Sequence, residues 1–426
     1  MLLEFSVNNF LSIKDTAKIS FNTAKGNTEN SFEAKSYHLL RSAGIFGPNA
    51  SGKSNVLKAF GFMKDMVLNR SKIIQSTDKL PHSPFKLNSE TEASSSLYEI
   101  VFFTNDVKYR YGFDADESNV YSEWLFADEK GKEAKLFSRD IDRDEYYNND
   151  RKFKEGKGLK IPKNHLFLWR CDQEGGEISR TILKWFKKLN LIEGQEVDGY
   201  SSFAMSQMED PSFARELTAL VRSVADLGIE NIHLEDEPIE LDQLQKHLFP
   251  GVSSELTLSE KSSWRRVFLK TLRPKYDHKG KRIGSTSFEL YEHESLGTRK
   301  FFFLSAPILD TLRKGKILLI DELGASMHPL LTKELIKLFN NPQTNKRNAQ
   351  LLFVTHDLNL LTPSLLGRDQ IWFTEKDEFG ATKCFSLGEI KAVRKDDNWV
   401  KKYLFGNYGA IPYFDFTKFY QELIDG

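Results

Sequence analysis

The sequence predicts an α/β protein with a parallel phosphate-loop sheet, an antiparallel β meander beside it and an inserted helical subdomain. Three observations carry that expectation. Gly47-Pro48-Asn49-Ala50-Ser51-Gly52-Lys53-Ser54 fits the pattern G-x-x-x-x-G-K-[ST], between a strand-like stretch at 41–46 and a helical pattern beginning at Asn55. Two later apolar runs, Lys316 to Glu322 and Leu351 to Asp357, end on acidic or polar side chains, as buried parallel strands do when they deliver groups to one sheet edge. Stretches 97–103, 107–113 and 120–126 are rich in aromatic and β-branched residues and are joined by turn residues such as Asn105-Asp106, which reads as a meander.

Taken in order, residues 2–22 alternate as two strands that should enter the nucleotide-binding sheet, with Phe10 to Lys14 a candidate wall for the base. The helix after the phosphate loop has its apolar face at Val56, Leu57, Phe60 and Met63. A polar stretch follows from Asp128 to Gly158, with basic side chains at Arg151, Lys152, Lys154, Lys157, Lys160 and Lys163. Ile178, Ile182, Trp185, Phe186 and Leu189 share one helical face, and Phe213, Leu217, Leu220, Val221 and Val224 share another; a third helix is expected at Leu241 to Phe249. Strand patterns return at Trp264 to Leu272 and Ser285 to Tyr291, flanking a basic tip with Lys275, His278, Lys279, Lys281 and Arg282. These readings divide the chain at 1–130, a first lobe, 131–262, a mainly helical insertion or arm, and 263–426, a second lobe.

Composition narrows the class. Sixty basic and sixty acidic residues cancel, so any polyanion-binding surface must be local. Cys171 and Cys384 fit no metal spacing, and no run of about eighteen apolar residues occurs, so a cytoplasmic location without membrane association is expected.

The chemistry follows from residue type and place. Glycines let successive backbone N–H groups from Gly47 to Asn55 curl around phosphate oxygens, and the helix start adds free donors. Lys53 would reach the β- and γ-phosphates, and Ser54 with Asp321 would hold Mg²⁺. Glu322 would polarise the attacking water, and His356, one strand later, would sense the γ-phosphate. Ser295-Leu296-Gly297-Thr298 is a second anion-binding turn at a helix start.

The ordered set of phosphate loop, turn 294–298, acids 321 and 322, segment Leu323 to Pro329 and His356 resembles the ATP-binding-cassette ATPases. Val7-Asn8-Asn9-Phe10-Leu11-Ser12-Ile13-Lys14-Asp15 looks like the opening of the RecF, Rad50 and OLD-like branch. Pro84-Phe85-Lys86-Leu87, Glu294 to Thr298, Asp369 to Lys376 and Tyr403 to Pro412 resemble the prokaryotic AAA15-type ATPases, the RloA and abortive-infection group.

That resemblance implies a head of the cassette-ATPase type, using ATP and Mg²⁺ and hydrolysing ATP with Glu322. It implies a second copy as partner, head to tail, whose Ser295, Gly297 and Thr298 complete the site in trans. Ser326 and His328 lie in the D-loop, where many relatives have an aspartate at the position of His328. It also implies a neighbouring effector, such as a nuclease, and a role as ATP-gated sensor or scaffold in antiphage defence. The alternative is a RecF- or SMC-like DNA-maintenance ATPase that clamps DNA.

Overall fold

The structure, a computed structural model, describes residues 1–23, 29–149, 151–193, 198–224, 227–238, 265–391, 393–394, 396–412 and 416–425. They form two compact units, one of Met1–Gln195, Thr311–Ala325 and Pro329–Gly426, the other of Glu196–Asp310 and Ser326–His328.

The first unit contains a six-stranded sheet in the order β11 (Leu189–Glu193), β15 (Ile317–Asp321), β16 (Gln350–Val354), β5 (Ser42–Phe46), β17 (Ile371–Lys376) and β18 (Thr382–Ser386). All pairings are parallel except β17 with β18. Every residue of β5 and β16 is buried, as their apolar runs require. With β16 between β5 and β15, the loop after β5, the acids ending β15 and the histidine after β16 emerge at the same edge.

The second large sheet is antiparallel, in the order β10 (Glu145–Asn148), β9 (Glu133–Asp140), β8 (Val120–Asp128), β7 (Val107–Ala115), β6 (Ser96–Thr104), β1 (Leu2–Asn8) and β2 (Ala17–Ser20). A separate hairpin pairs β3 (Ser31–Ala34) with β4 (Tyr37–Leu40). One apolar core joins both large sheets to the helix Lys53–Val67, whose buried face includes Val56, Leu57, Phe60 and Met63 as the spacing predicts. Phe60 stacks on Phe5 of β1 at 3.7 Å, and Trp185 stacks on Phe102 of β6 at 4.0 Å.

The structure corrects three expectations and adds strands to a fourth stretch. The hairpin of residues 2–22 joins the antiparallel sheet, because β1 pairs with β6 (Phe5 opposite Ile100) and does not enter the parallel one. The polar stretch after Asp128 contains β9 and β10, and neither has an apolar alternation to announce it: β9 buries Leu136 and Phe137 side by side, and β10 is exposed at Glu145, Tyr146 and Tyr147. Leu189 is not on the preceding helix, which ends at Phe186, but starts β11 opposite Ile317. The chain does not divide at 130 and 262 around a mainly helical arm. Residues 133–193 belong to the first unit. The second unit carries helices Asp198–Met208 and Pro211–Arg222, and a three-stranded sheet β12 (Asn231–Pro238), β13 (Arg265–Tyr276) and β14 (Arg282–Glu289). The helix expected at 241–249 lies outside the described residues.

Glu123 on β8 is the polar hub of the first core. Its fully buried carboxylate accepts from Arg139 Nε at 3.2 Å, the Tyr111 hydroxyl at 2.9 Å, and the backbone N–H groups of Phe167 at 2.5 Å and Leu168 at 3.1 Å. It thereby ties the meander to the start of helix Phe167–Gln173. Burial pushes its carboxyl above the usual carboxylate range, against the pull of Arg139. Glu123→Ala would leave Arg139 buried without its counter-charge, so urea unfolding should show a loss of about 3–5 kcal/mol.

Candidate functional site

The strand β5 ends at Phe46, and the loop to Lys53 is shaped by two glycines. Gly47 has φ of 147°, and a Cβ there would lie 2.4 Å from the Thr374 carbonyl oxygen. Gly52, the residue before the helix, sits in the left-handed region at φ 99°, where a Cβ would meet Thr382 Oγ1 at 2.1 Å. The close approach has a purpose. Ser51 Oγ and Thr374 Oγ1 share a hydrogen bond at 2.7 Å, and Thr382 Oγ1 donates to the Ser51 carbonyl at 2.9 Å. Ser12 Oγ lies 2.7 Å from Thr382 Oγ1 and accepts from Asn55 Nδ2 at 2.7 Å. The loop is therefore clamped from β17, β18 and the turn after β1.

Lys53 is buried, and its ammonium donates to the carbonyls of Gly47 at 2.9 Å and Pro48 at 2.7 Å. Burial lowers its pKa to about 8, against the opposing attraction of Asp321 and Glu322. Ser54 Oγ donates to Asp321 Oδ1 at 3.1 Å, a contact between residues 267 positions apart. Burial raises the Asp321 carboxyl, which the Ser54 hydrogen bond partly offsets. The chain then turns sharply, with Glu322 at φ 54°, and the Leu323 N–H donates to the Val354 carbonyl at 2.9 Å. His356 follows β16, where partial burial and then the Lys53 charge hold its imidazole below the ordinary range, with Glu322 and Asp321 pulling the other way. The shift favours the neutral imidazole.

A cleft of about 650 Å³ opens beside the loop, lined by Gly47 to Ser51, His356, Leu358, Glu375, Lys376, Tyr403, Leu404, Ile411 and Pro412. The wall formed by 403–412 is a knot. Tyr403 stacks on Phe373 at 5.4 Å and its hydroxyl donates to the Ala410 carbonyl at 2.5 Å, while the Ala410 N–H donates to Glu375 Oε2 at 2.9 Å. Sequence reasoning gave no site role to Thr374, Lys376 or Thr382: it took 369–376 and 403–412 only as family marks and passed over Thr382; the glycine and aromatic content of 403–412 was its available signal. The proposed base wall at 10–14 is corrected as well: Phe10 is buried against Phe62 and Tyr98, Ile13 is fully buried, and Ser12 meets the loop.

Ser295, Gly297 and Thr298 lie in the second unit, together with Ser326 and His328. Ser295 Oγ accepts from the Thr298 N–H at 3.2 Å, so it caps the helix Leu296–Lys314. A Cβ at Gly297 would lie 3.0 Å from the Ser326 carbonyl oxygen, which brings the turn against the segment Ser326–His328. Glu294, buried, accepts from Arg273 Nε at 3.0 Å, Arg273 Nη2 at 2.6 Å and Thr271 Oγ1 at 2.8 Å, fixing the turn to β13.

Residues 42–362 match a family model described as AAA domain, putative AbiEii toxin, Type IV TA system. The chain belongs to this family. The matched span starts on β5 and extends past His356, so the loop, both acids, the 295–298 turn and the histidine all fall within it. No curated protein matches the chain. Membership makes it a P-loop ATPase of the AAA_21 family, whose domain binds nucleotide, typically with Mg²⁺. The residues fit that ion: a hydroxyl and a carboxylate converge at Ser54 and Asp321, a two-oxygen set suited to a cation that keeps several waters and takes phosphate oxygens. Among the described residues no group of three or more His, Cys, Asp or Glu side chains could hold a metal. No described helix is long and apolar enough to cross a membrane.

Two measurements test the site. Lys53 must be protonated to meet a triphosphate, so the association constant in calorimetric titrations should hold below pH 8 and fall about tenfold per unit above it. Thr382→Val removes the clamp on Ser51, and nucleotide affinity should weaken by about tenfold, ~1.4 kcal/mol, with little change in thermal midpoint.

Proposed function

We propose that this protein is a cassette-type ATPase of the AAA15, RloA-like abortive-infection group that assembles head to tail around ATP and controls an effector protein in antiphage defence. The observation that carries the ATPase reading is the Ser54–Asp321 contact, which joins the phosphate loop to the end of β15. Lys53 releases its own loop's carbonyls to meet the β- and γ-phosphates. Mg²⁺, when bound at Ser54 and Asp321, supplies charge neutralisation for the phosphates.

In hydrolysis, Glu322 orients a water in line with the γ-phosphorus and accepts its proton. The bond from phosphorus to the bridging oxygen breaks, giving ADP and phosphate. His356, neutral, hydrogen-bonds the γ-phosphate or the water. Ser295, Gly297 and Thr298 of a second copy complete the pocket, with Ser326 and His328 at the same seam. The family's description as a putative toxin of a type IV TA system supports a paired role, and an adjacent effector such as a nuclease fits it. ATP then acts as the gate that holds or releases that effector.

Glu322→Gln is the test. It should leave ATP binding intact, reduce turnover by at least about a hundredfold and trap a larger ATP-bound assembly on size exclusion. Unchanged turnover would reject the hydrolytic role, and an assembly indifferent to ATP would reject the gate.

A further inference from the structure

The second unit carries a feature that the nucleotide site does not use. Its sheet has β12 paired with β13 only as far as Asn231 opposite Leu272. Beyond that point β13 and β14 continue as a two-stranded ribbon, from Arg273 opposite Thr286 to Tyr276 opposite Arg282. At the tip, Asp277 Oδ1 accepts from the N–H groups of Lys279 and Lys281, both at 2.9 Å, so the sole acid of the turn shapes the backbone. A methyl added at Gly280 or Gly284 would meet nothing within 4 Å, so the tip stands open, while Glu230 flanks the ribbon by accepting from Ser285 Oγ at 2.9 Å.

The cations there differ in what they do. Arg273 is tied to Glu294, and Arg282 reaches Glu230 at 2.8 Å. Lys275, His278, Lys279 and Lys281 are exposed and make no ion pair among the described residues. Tyr276 and Ile283, 55% and 57% exposed, add apolar surface beside them. The tip therefore sets cations beside exposed apolar surface on a hydrogen-bonded two-stranded frame.

We infer that the β13–β14 ribbon docks into the major groove of B-form duplex DNA. A two-stranded ribbon fits a groove about 12 Å wide and 8.5 Å deep. Four residues of strand beyond β12 give a reach of about 13 Å, enough to enter it. The lysines flank the tip, where they meet phosphates on either side of the groove, and Tyr276 and Ile283 offer contact to thymine methyl groups. The deep, narrow major groove of A-form RNA would exclude the same ribbon.

The test uses the full chain and a fluorescent duplex of about three helical turns, titrated by anisotropy over a series of salt concentrations. The parent protein should bind, with log K falling linearly in log salt. The variant Lys275→Ala/Lys279→Ala/Lys281→Ala should bind about a hundredfold more weakly near physiological salt, with a slope shallower by about 2.7. Replacement of the same three lysines by arginine should restore binding. A thermal midpoint equal to the parent's shows that the alanine variant is folded. The inference is overturned if the parent does not bind duplex DNA, if the alanine variant keeps the parent's slope, or if an A-form RNA duplex or phosphatidylserine vesicles bind more tightly than the DNA.

Discussion

Parallel pairing of β5, β16 and β15, with Leu351 opposite Ser42 and Ile317 opposite Gln350, sets where each reactive group of the first unit emerges. A shift of one residue in either pairing would turn alternate side chains to the opposite face and carry Asp321 away from Ser54. Their 3.1 Å contact is the visible result of that register. The fully buried β5 and β16 supply the force that holds it, because each pairs on both sides within an apolar layer.

The electrostatics of the site follow from the same placement. Strand ends that meet at one edge bring a lysine, two acids and an imidazole into a partly dry space, and burial is the largest cause of the shifts at Lys53, Asp321 and His356. Each of these groups is moved toward its neutral form, Lys53 and His356 downward and Asp321 upward. A polyanion arriving in the cleft would reverse the cost for Lys53, since its charge would then offset the desolvation of the ammonium. The loop's own carbonyls at Gly47 and Pro48 hold the ammonium until then.

The two units spend their buried charges on geometry. Glu123 receives four donors and anchors a helix start to the meander, and Glu294 receives three and anchors the 294–298 turn to β13. In both, a carboxylate far from the loop fixes backbone that an apolar contact alone would leave free to slide. The knot at 403–412 does the equivalent with aromatic stacking and the Glu375 carboxylate beside the cleft.

The amino-acid order by itself determined what depends on near neighbours: the phosphate loop with its flanking strand and helix, the apolar runs ending at Asp321 and Val354, and the first three strands of the meander. Local periodicity and glycine placement carry that information, since they reflect dihedral preference and one-sided burial. Tertiary structure alone decided what depends on distant pairing. It sent β1 and β2 to the antiparallel sheet, extended that sheet through β9 and β10, and made Leu189 the start of an edge strand. It also brought Thr374, Thr382 and Ser12 to the loop from three separate segments. A hydroxyl on a strand end has no periodic signature, and only the register of non-adjacent strands determines which backbone it meets.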